Sequence, residues 1–177
     1  MKTLLFVLTL LASLARANPN FTQEMKVDDQ GQAKKLILSG VGTRKATIFK
    51  VKVYDAALYV EDKAKIDVND ASLKVARMEF LRDVSTDDVK KAWEEGLAKT
   101  CGNPCALDFK EFLANVREAK KGQFNQYTLR SDRVTVDQGG TTNEYAQKGL
   151  ASAILKTWIG DSPPNPELKE GMLGRSK

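Results

Sequence analysis

Histidine is absent from the 177 residues of this chain, and cysteine occurs only twice. Without histidine there is no Ser-His-Asp or Cys-His nucleophile pair, no histidine general acid or base, and no histidine-ligated zinc. Two cysteines are too few for the four ligands of a thiolate zinc site. We therefore expect no catalytic residues of these kinds, no metal site and no cofactor.

Long apolar runs are also scarce. The longest, Leu4–Leu11, falls short of the roughly 20 residues that cross a bilayer. Lys2 precedes this run, and Ala15 and Ala17 follow it at the two positions that a signal peptidase reads. This order predicts a signal peptide at 1–17, a single mature domain at 18–177, and a periplasmic or secreted location; the alternative is a buried N-terminal helix. The residue directly after Ala17 is asparagine and not the cysteine of a lipoprotein, so we expect no stable membrane anchor.

The excess of positive charge is small. The chain has 28 basic and 23 acidic residues, for a net charge of +5, and loss of Lys2 and Arg16 with the signal peptide would leave +3 (5 − 2). Basic and acidic residues are interspersed, as in 87–91, which is typical of a solvated mixed surface. This distribution argues against nucleic acid as a partner.

The segment before residue 60 has a strand pattern. Apolar residues alternate with lysines from Phe49 to Val53, which is typical of a half-buried strand. The apolar phase then shifts, so we expect a bulge or bend within Tyr54–Ala57. Upstream, Gly40 and Gly42 predict a turn or a close approach of another backbone.

The rest of the chain predicts a mixture of strands and helices. Further strands are expected at Leu73–Phe80 and in a hairpin around Ser131-Asp132. Apolar residues at helical spacing predict helices that start at the N-cap Ser85, span Phe109–Val116, run from Ala146 to a stop at Gly160, and cover Glu167–Leu173. Because the helices cluster and the strands lie close enough to pair, we predict an α+β fold with one antiparallel sheet and helices on one face.

Several segments carry a family resemblance in the same order along the chain. They are Gly40-Val-Gly-Thr-Arg44 with Val53–Val60, then Phe80–Val84, Ala92–Leu97, and Ala153–Asp161 followed by Glu167-Leu-Lys169. Together they resemble the chalcone isomerase-like family over roughly 36–173. The resemblance implies an open-faced β-sandwich, in which a large antiparallel sheet carries a layer of helices on one face and a ligand cleft lies between the layers.

The resemblance also implies three ligand-binding residues. Arg44 matches an arginine that family members direct into the cleft. Tyr54 stands where catalytic members carry threonine and fatty-acid-binding members carry tyrosine, and Thr157 matches a cleft threonine on the last large helix. Catalytic members also use a helix-borne tyrosine and asparagine, and 101–116 offers no such pair.

Alternatives remain for each of these residues. An arginine on a strand can extend its stem along the surface, and a tyrosine at a strand bend can serve packing alone. A threonine inside a helix often bonds the backbone carbonyl one turn earlier. These three residues are therefore hypotheses for a site, each with a structural alternative.

Two classes of function are consistent with the sequence. The first, which we favour, is an exported, non-catalytic binding protein for a fatty acid or similar apolar carboxylate. The second is an intramolecular lyase of the chalcone–flavanone isomerase type, which the missing Tyr–Asn pair disfavours. A periplasmic scaffold without a ligand is a third reading.

Cys101 and Cys105 are expected to form a local disulfide. Export leads to an oxidising compartment, and the intervening residues, with a glycine and a proline, allow a tight turn. The alternative is two free thiols.

Overall fold

The computed structural model describes residues 20–46, 48–101 and 105–175. The strands are β1 Glu24–Asp29, β2 Gln32–Ala46, β3 Val51–Val60, β4 Lys74–Phe80, β5 Phe124–Leu129, β6 Val134–Gln138 and β7 Thr141–Tyr145. The helices are α1 Thr86–Thr100, α2 Lys110–Ala114, α3 Leu150–Ile159 and α4 Pro166–Met172, with a 3₁₀ turn at Lys63–Lys65. The proposed signal peptide lies outside the described residues. Within them, no helix combines the length and apolarity needed to cross a membrane.

The seven described strands form one sheet in sequential order, and each neighbouring pair is antiparallel. Alternate residues face opposite sides, as the pleat requires. Residues such as Leu58, Met78 and Tyr127 face the helices and form the main core. Residues such as Leu36 and Tyr59 form a smaller core on the other side. The predicted α+β fold with helices on one face of an antiparallel sheet is confirmed.

The helices follow the sequence pattern closely at two of their ends. Ser85 caps α1, because its hydroxyl accepts from the Asp88 N–H at 3.2 Å and donates to the Asp88 carboxylate at 2.8 Å. Helix α3 ends before Gly160, as predicted, but it begins only at Leu150. Ala146 lies outside it, because β7 occupies the preceding residues up to Tyr145.

The hairpin between β2 and β3 projects beyond its neighbour. Pairing of β3 with β4 begins only at Tyr54, so 51–53 extend past the end of β4. The predicted burial of Phe49 and Val51 is therefore wrong, since their exposed fractions are 82% and 36%. Val53 is an extra residue between the pairs that Tyr54 and Lys52 make with β2. The bulge thus lies one residue before the region predicted for it.

Helix α4 lies directly against the middle of β2. A Cβ at Gly42 would stand 2.1 Å from the Leu168 carbonyl oxygen, and one at Gly40 would stand 2.2 Å from the Gly171 carbonyl oxygen. Both glycines lie within the strand, so of the two predicted alternatives the close backbone approach is correct. Leu168 and Met172 are consequently fully buried.

The predicted link between Cys101 and Cys105 is present as a disulfide with a Cα–Cα distance of 5.2 Å. Cys101 is the C-cap of α1, where its N–H donates to the Leu97 carbonyl oxygen at 3.1 Å. The disulfide therefore fixes the chain where it leaves α1.

Candidate ligand-binding site

A cavity of about 460 Å³ lies between the sheet and the helices α1 and α3. Its volume is within the range of about 300–1,000 Å³ that small-molecule sites usually have. The inner wall is apolar and includes Met78, Phe80, Trp93, Tyr127 and Trp158, each of which is at most 8% exposed. The cavity therefore offers an apolar surface to a bound group.

Aromatic rings form the deepest wall of the cavity. Trp93 of α1 and Trp158 of α3 have ring centroids 5.4 Å apart, and Tyr127 of β5 lies 5.4 Å and 5.3 Å from them. Tyr54 packs edge-on against Phe80 at 5.7 Å. These separations are typical of favourable aromatic pairs, so the wall is well packed.

All three residues predicted for the site line this one cavity. Arg44 and Tyr54 are brought together by strand pairing, since their Cα atoms are direct partners across β2 and β3. Thr157 reaches the cavity from α3, on the helix side. The three residues thus line one cavity from both layers.

Arg44 is half-buried and lines the cavity from β2. Its guanidinium donates a hydrogen bond to the carbonyl oxygen of Lys45. In the described part of the chain, no carboxylate lies within 4.0 Å of it. A guanidinium has five N–H donors, so most of the hydrogen-bonding capacity of Arg44 is available to an anion.

The side chain of Asn165 holds the backbone on both sides of Arg44. Its amide nitrogen donates to the Thr43 carbonyl oxygen at 3.1 Å, and its amide oxygen accepts from the Lys45 N–H at 3.1 Å. Asn165 is the N-cap residue of α4. Its side-chain amide makes the two backbone hydrogen bonds that a neighbouring strand would make on this edge of β2. It positions Arg44, and no sequence argument had identified it.

Tyr54 keeps its proton across the physiological range. Burial raises the pKa of its phenol from 10.0 to about 12, although the nearby charge of Arg44 and a hydrogen bond from the Trp158 side chain oppose this rise. A neutral phenol can donate a hydrogen bond to a ligand oxygen. Arg44 and Tyr54 together therefore offer a charged donor and a neutral donor at one end of the cavity.

The hydroxyl group of Thr157 donates its hydrogen bond within the protein. The hydroxyl donates to the Ile154 carbonyl oxygen within α3 at 2.7 Å, which is the structural alternative that the sequence left open. Toward a ligand its oxygen is then an acceptor rather than a donor. A Cβ at Gly96 of α1 would lie 3.3 Å from the Thr157 methyl group, so Gly96 allows the two helices to approach closely beside the cavity.

The cavity mouth carries a balanced set of charges. Besides Arg44, the charged residues that line it are Arg82, Asp83, Asp88, Glu95 and Lys99. All five are exposed, whereas Arg44 is half-buried. Solvent screens exposed charges, so among these residues Arg44 has the strongest electrostatic effect on a bound group.

Helix α1 supplies more of the cavity wall than the sequence had indicated. Val89, Ala92, Trp93 and Gly96 all line the cavity from this helix, whereas the sequence had placed only Thr157 of α3 there. The signal was present in the spacing of Val89, Trp93 and Gly96, which places them along one helix face.

The sheet, the helix layer on one side and the cavity between them define an open-faced α+β sandwich. The chain belongs to the chalcone isomerase-like family, whose model matches residues 16–174. Among solved structures, a fatty-acid binding protein of Arabidopsis thaliana has a similar fold, with a TM-score of 0.64 and 15% identity over 85% of this chain and 96% of that chain. No curated protein matches the sequence. The predicted family and fold are confirmed.

Proposed function

We propose that this protein binds a fatty acid or a similar apolar carboxylate in the cavity, as an exported protein without catalytic activity. The observation that carries the proposal is the half-buried Arg44, which has no carboxylate partner in the described residues, beside the protonated phenol of Tyr54 at the end of an apolar cavity. The similarity to an Arabidopsis protein described as fatty-acid binding supports the same ligand class.

The two ends of such a ligand meet different surroundings. The carboxylate accepts paired hydrogen bonds from the Arg44 guanidinium, which is geometrically suited to a carboxylate, and one from Tyr54. The acyl chain lies against Phe80, Trp93 and Trp158. Each buried CH₂ contributes about 0.8 kcal/mol, or roughly fourfold in affinity, so chain length sets affinity and Arg44 selects the head group.

The absence of catalysis is part of the proposal. Cyclisation of a chalcone develops negative charge on a ketone oxygen, and this charge needs several oriented donors. The segment 101–116 contains no tyrosine to supply the helix-borne pair, and the Thr157 hydroxyl donates to Ile154. We expect no cyclisation above the spontaneous rate; turnover well above it would favour the isomerase reading.

The third part of the proposal is that the protein is exported. The order of Lys2, the apolar run and the small residues before Asn18 supports cleavage after Ala17. The intact mass of the protein recovered from the periplasm or medium should begin at Asn18. A protein that retains Met1 in the cytoplasm would contradict this part and leave ligand binding untouched.

Calorimetry with paired ligands tests the binding site. The wild type should bind a saturated fatty acid more tightly than the alcohol of equal chain length, because only the acid pairs with Arg44. Arg44→Met should weaken acid binding by about tenfold to a hundredfold and leave alcohol binding nearly unchanged. Arg133→Met is the matched control, since Arg133 pairs with Asp132 and Glu144 and does not line the cavity.

Two results would refute the proposal. One is a wild type that binds no fatty acid and carries no lipid in native mass spectrometry, which would favour the scaffold reading. The other is an Arg44→Met variant that keeps the preference of the wild type for the acid.

A further inference from the structure

The tip of the β2–β3 hairpin exposes apolar side chains. Ile48 is 89% exposed, Phe49 is 82% exposed and Val51 is 36% exposed, and they are the large hydrophobic residues with substantial exposure in the described part of the chain. They lie together where the hairpin extends past the end of β4. Exposed apolar residues clustered in this way mark a contact surface.

Lysines alternate with these apolar residues along the chain. The segment from Arg44 to Tyr54 contains four basic residues and no acidic residue. Lys50 and Lys52 are exposed. The third lysine, Lys45, has its Nζ 3.7 Å from a carboxylate oxygen of Glu167 in α4.

The tip lies beside the cavity mouth. Ala46 and Val53, which flank the tip on the two strands, both line the cavity, as does Arg44. A surface that the tip contacts is therefore also close to the opening through which a ligand would pass.

We propose that the hairpin tip, defined as Ile48, Phe49, Lys50, Val51 and Lys52, docks on an anionic lipid membrane. Exposed apolar side chains flanked by Lys50 and Lys52 match the two layers of such an interface, since the apolar groups enter the acyl boundary and the cations remain at the head groups. The proposal rests on the tip alone and does not require the cavity to hold a fatty acid.

A protein partner fits this surface less well. A buried phenylalanine contributes about 150–250 Å². Phe49 is 82% exposed and offers somewhat less, and Ile48 and the partly exposed Val51 add a similar amount. The sum is below the roughly 800 Å² per partner of a standard protein interface. A projecting tip with a few apolar side chains is sufficient, however, to enter a lipid interface.

Co-sedimentation with vesicles tests the proposal, with every variant purified with the same N-terminus and without fatty acid. The wild type should bind vesicles of equal parts phosphatidylglycerol and phosphatidylcholine, and bind pure phosphatidylcholine much more weakly. Lys50→Gln/Lys52→Gln should weaken binding about thirtyfold, at about fivefold for each cation near the surface. Lys63→Gln/Lys65→Gln is the matched control, because this exposed pair has the same spacing and follows the opposite end of β3.

A second pair of measurements isolates the apolar part. Ile48→Ser/Phe49→Ser should weaken vesicle binding at least tenfold while fatty-acid binding in solution and the thermal melt stay as in the wild type. In Phe49→Trp the new indole should shift its emission to the blue on adding vesicles, and the native Trp93 and Trp158, which are buried, should change little.

Three outcomes would overturn the proposal. The first is equal binding by the wild type and the serine variant. The second is an equal loss in the Lys63/Lys65 control. The third is self-association of the wild type, in sedimentation without lipid, that the serine variant abolishes, since the tip would then contact a second copy. Each leaves the fatty-acid calorimetry unaffected, so failure here is distinguishable from failure of the proposed function.

Discussion

Replacement of Gly42 by alanine should separate α4 from the sheet. The added Cβ would lie 2.1 Å from the Leu168 carbonyl oxygen and 2.8 Å and 2.9 Å from two further backbone atoms. Ordinary contact distances are about 3.5–4.0 Å, and backbone atoms cannot rotate away as a side chain can. Helix α4 must therefore retreat by more than about 1 Å.

The expected cost follows from what that retreat disturbs. Forced overpacking costs about 1–3 kcal/mol, and the two 3.1 Å hydrogen bonds of Asn165 contribute about 1 kcal/mol each. A loss of about 3 kcal/mol lowers the melting temperature by roughly 6–12 °C in a domain of this size. Because Asn165 positions the backbone around Arg44, fatty-acid affinity should fall as well.

The assay is thermal unfolding followed by circular dichroism, with calorimetry on the folded variant. Gly140→Ala is the matched control, since Gly140 has no atom near the added Cβ but a φ of +90°. It should cost about 1 kcal/mol for backbone conformation and leave fatty-acid affinity unchanged. If Gly42→Ala melts within 2 °C of the wild type by this scale, close contact of α4 with β2 is refuted.

Three further predictions concern the site. Because the pKa of Tyr54 is about 12 in the folded protein and 10.0 without burial, the unfolding free energy should fall by at most about 2–3 kcal/mol as the pH rises from 10 to 12. In urea unfolding, Tyr54→Phe should lose less stability than the wild type over this range, and an equal loss in the two proteins would contradict the assignment. Asn165→Ala should reduce unfolding free energy by about 2 kcal/mol and weaken carboxylate binding through Arg44; unchanged calorimetric affinity would make Asn165 merely structural. Ala92→Trp should obstruct the cavity and lower affinity with little change in melting temperature, and full affinity would move the ligand elsewhere.

The sequence predicted the parts of the fold that depend on local pattern. The Ser85 cap and the hairpin around 131–132 follow from short-range chemistry, and both are present. The alternation from Phe49 to Val53 gave a wrong prediction of burial. The two-residue period of a strand does not show whether the neighbouring strand extends far enough to cover each residue. The end of β4 decides that, and it is set by tertiary pairing.

The sequence predicted only those residues of the candidate site that belong to a family motif. Arg44, Tyr54 and Thr157 came from family resemblance, and all three line the cavity. Asn165 was not predictable, because its partners lie 120 and 122 residues away in the sequence. The bond from the Thr157 hydroxyl to the Ile154 carbonyl oxygen, by contrast, is the local alternative that the sequence had offered for a threonine inside a helix.

The return of α4 to β2 has a consequence for the order of folding. Of the six strand pairs in the described part of the chain, five join strands that are close in the sequence, and the sixth, β4–β5, spans α1 and α2. Helix α4 must close a longer loop, of about 120 residues, to reach β2. The backbone around Arg44 is held on both sides only after that closure. During refolding we therefore expect the sheet to appear first and affinity for carboxylate to arise last, with the docking of the C-terminal helix.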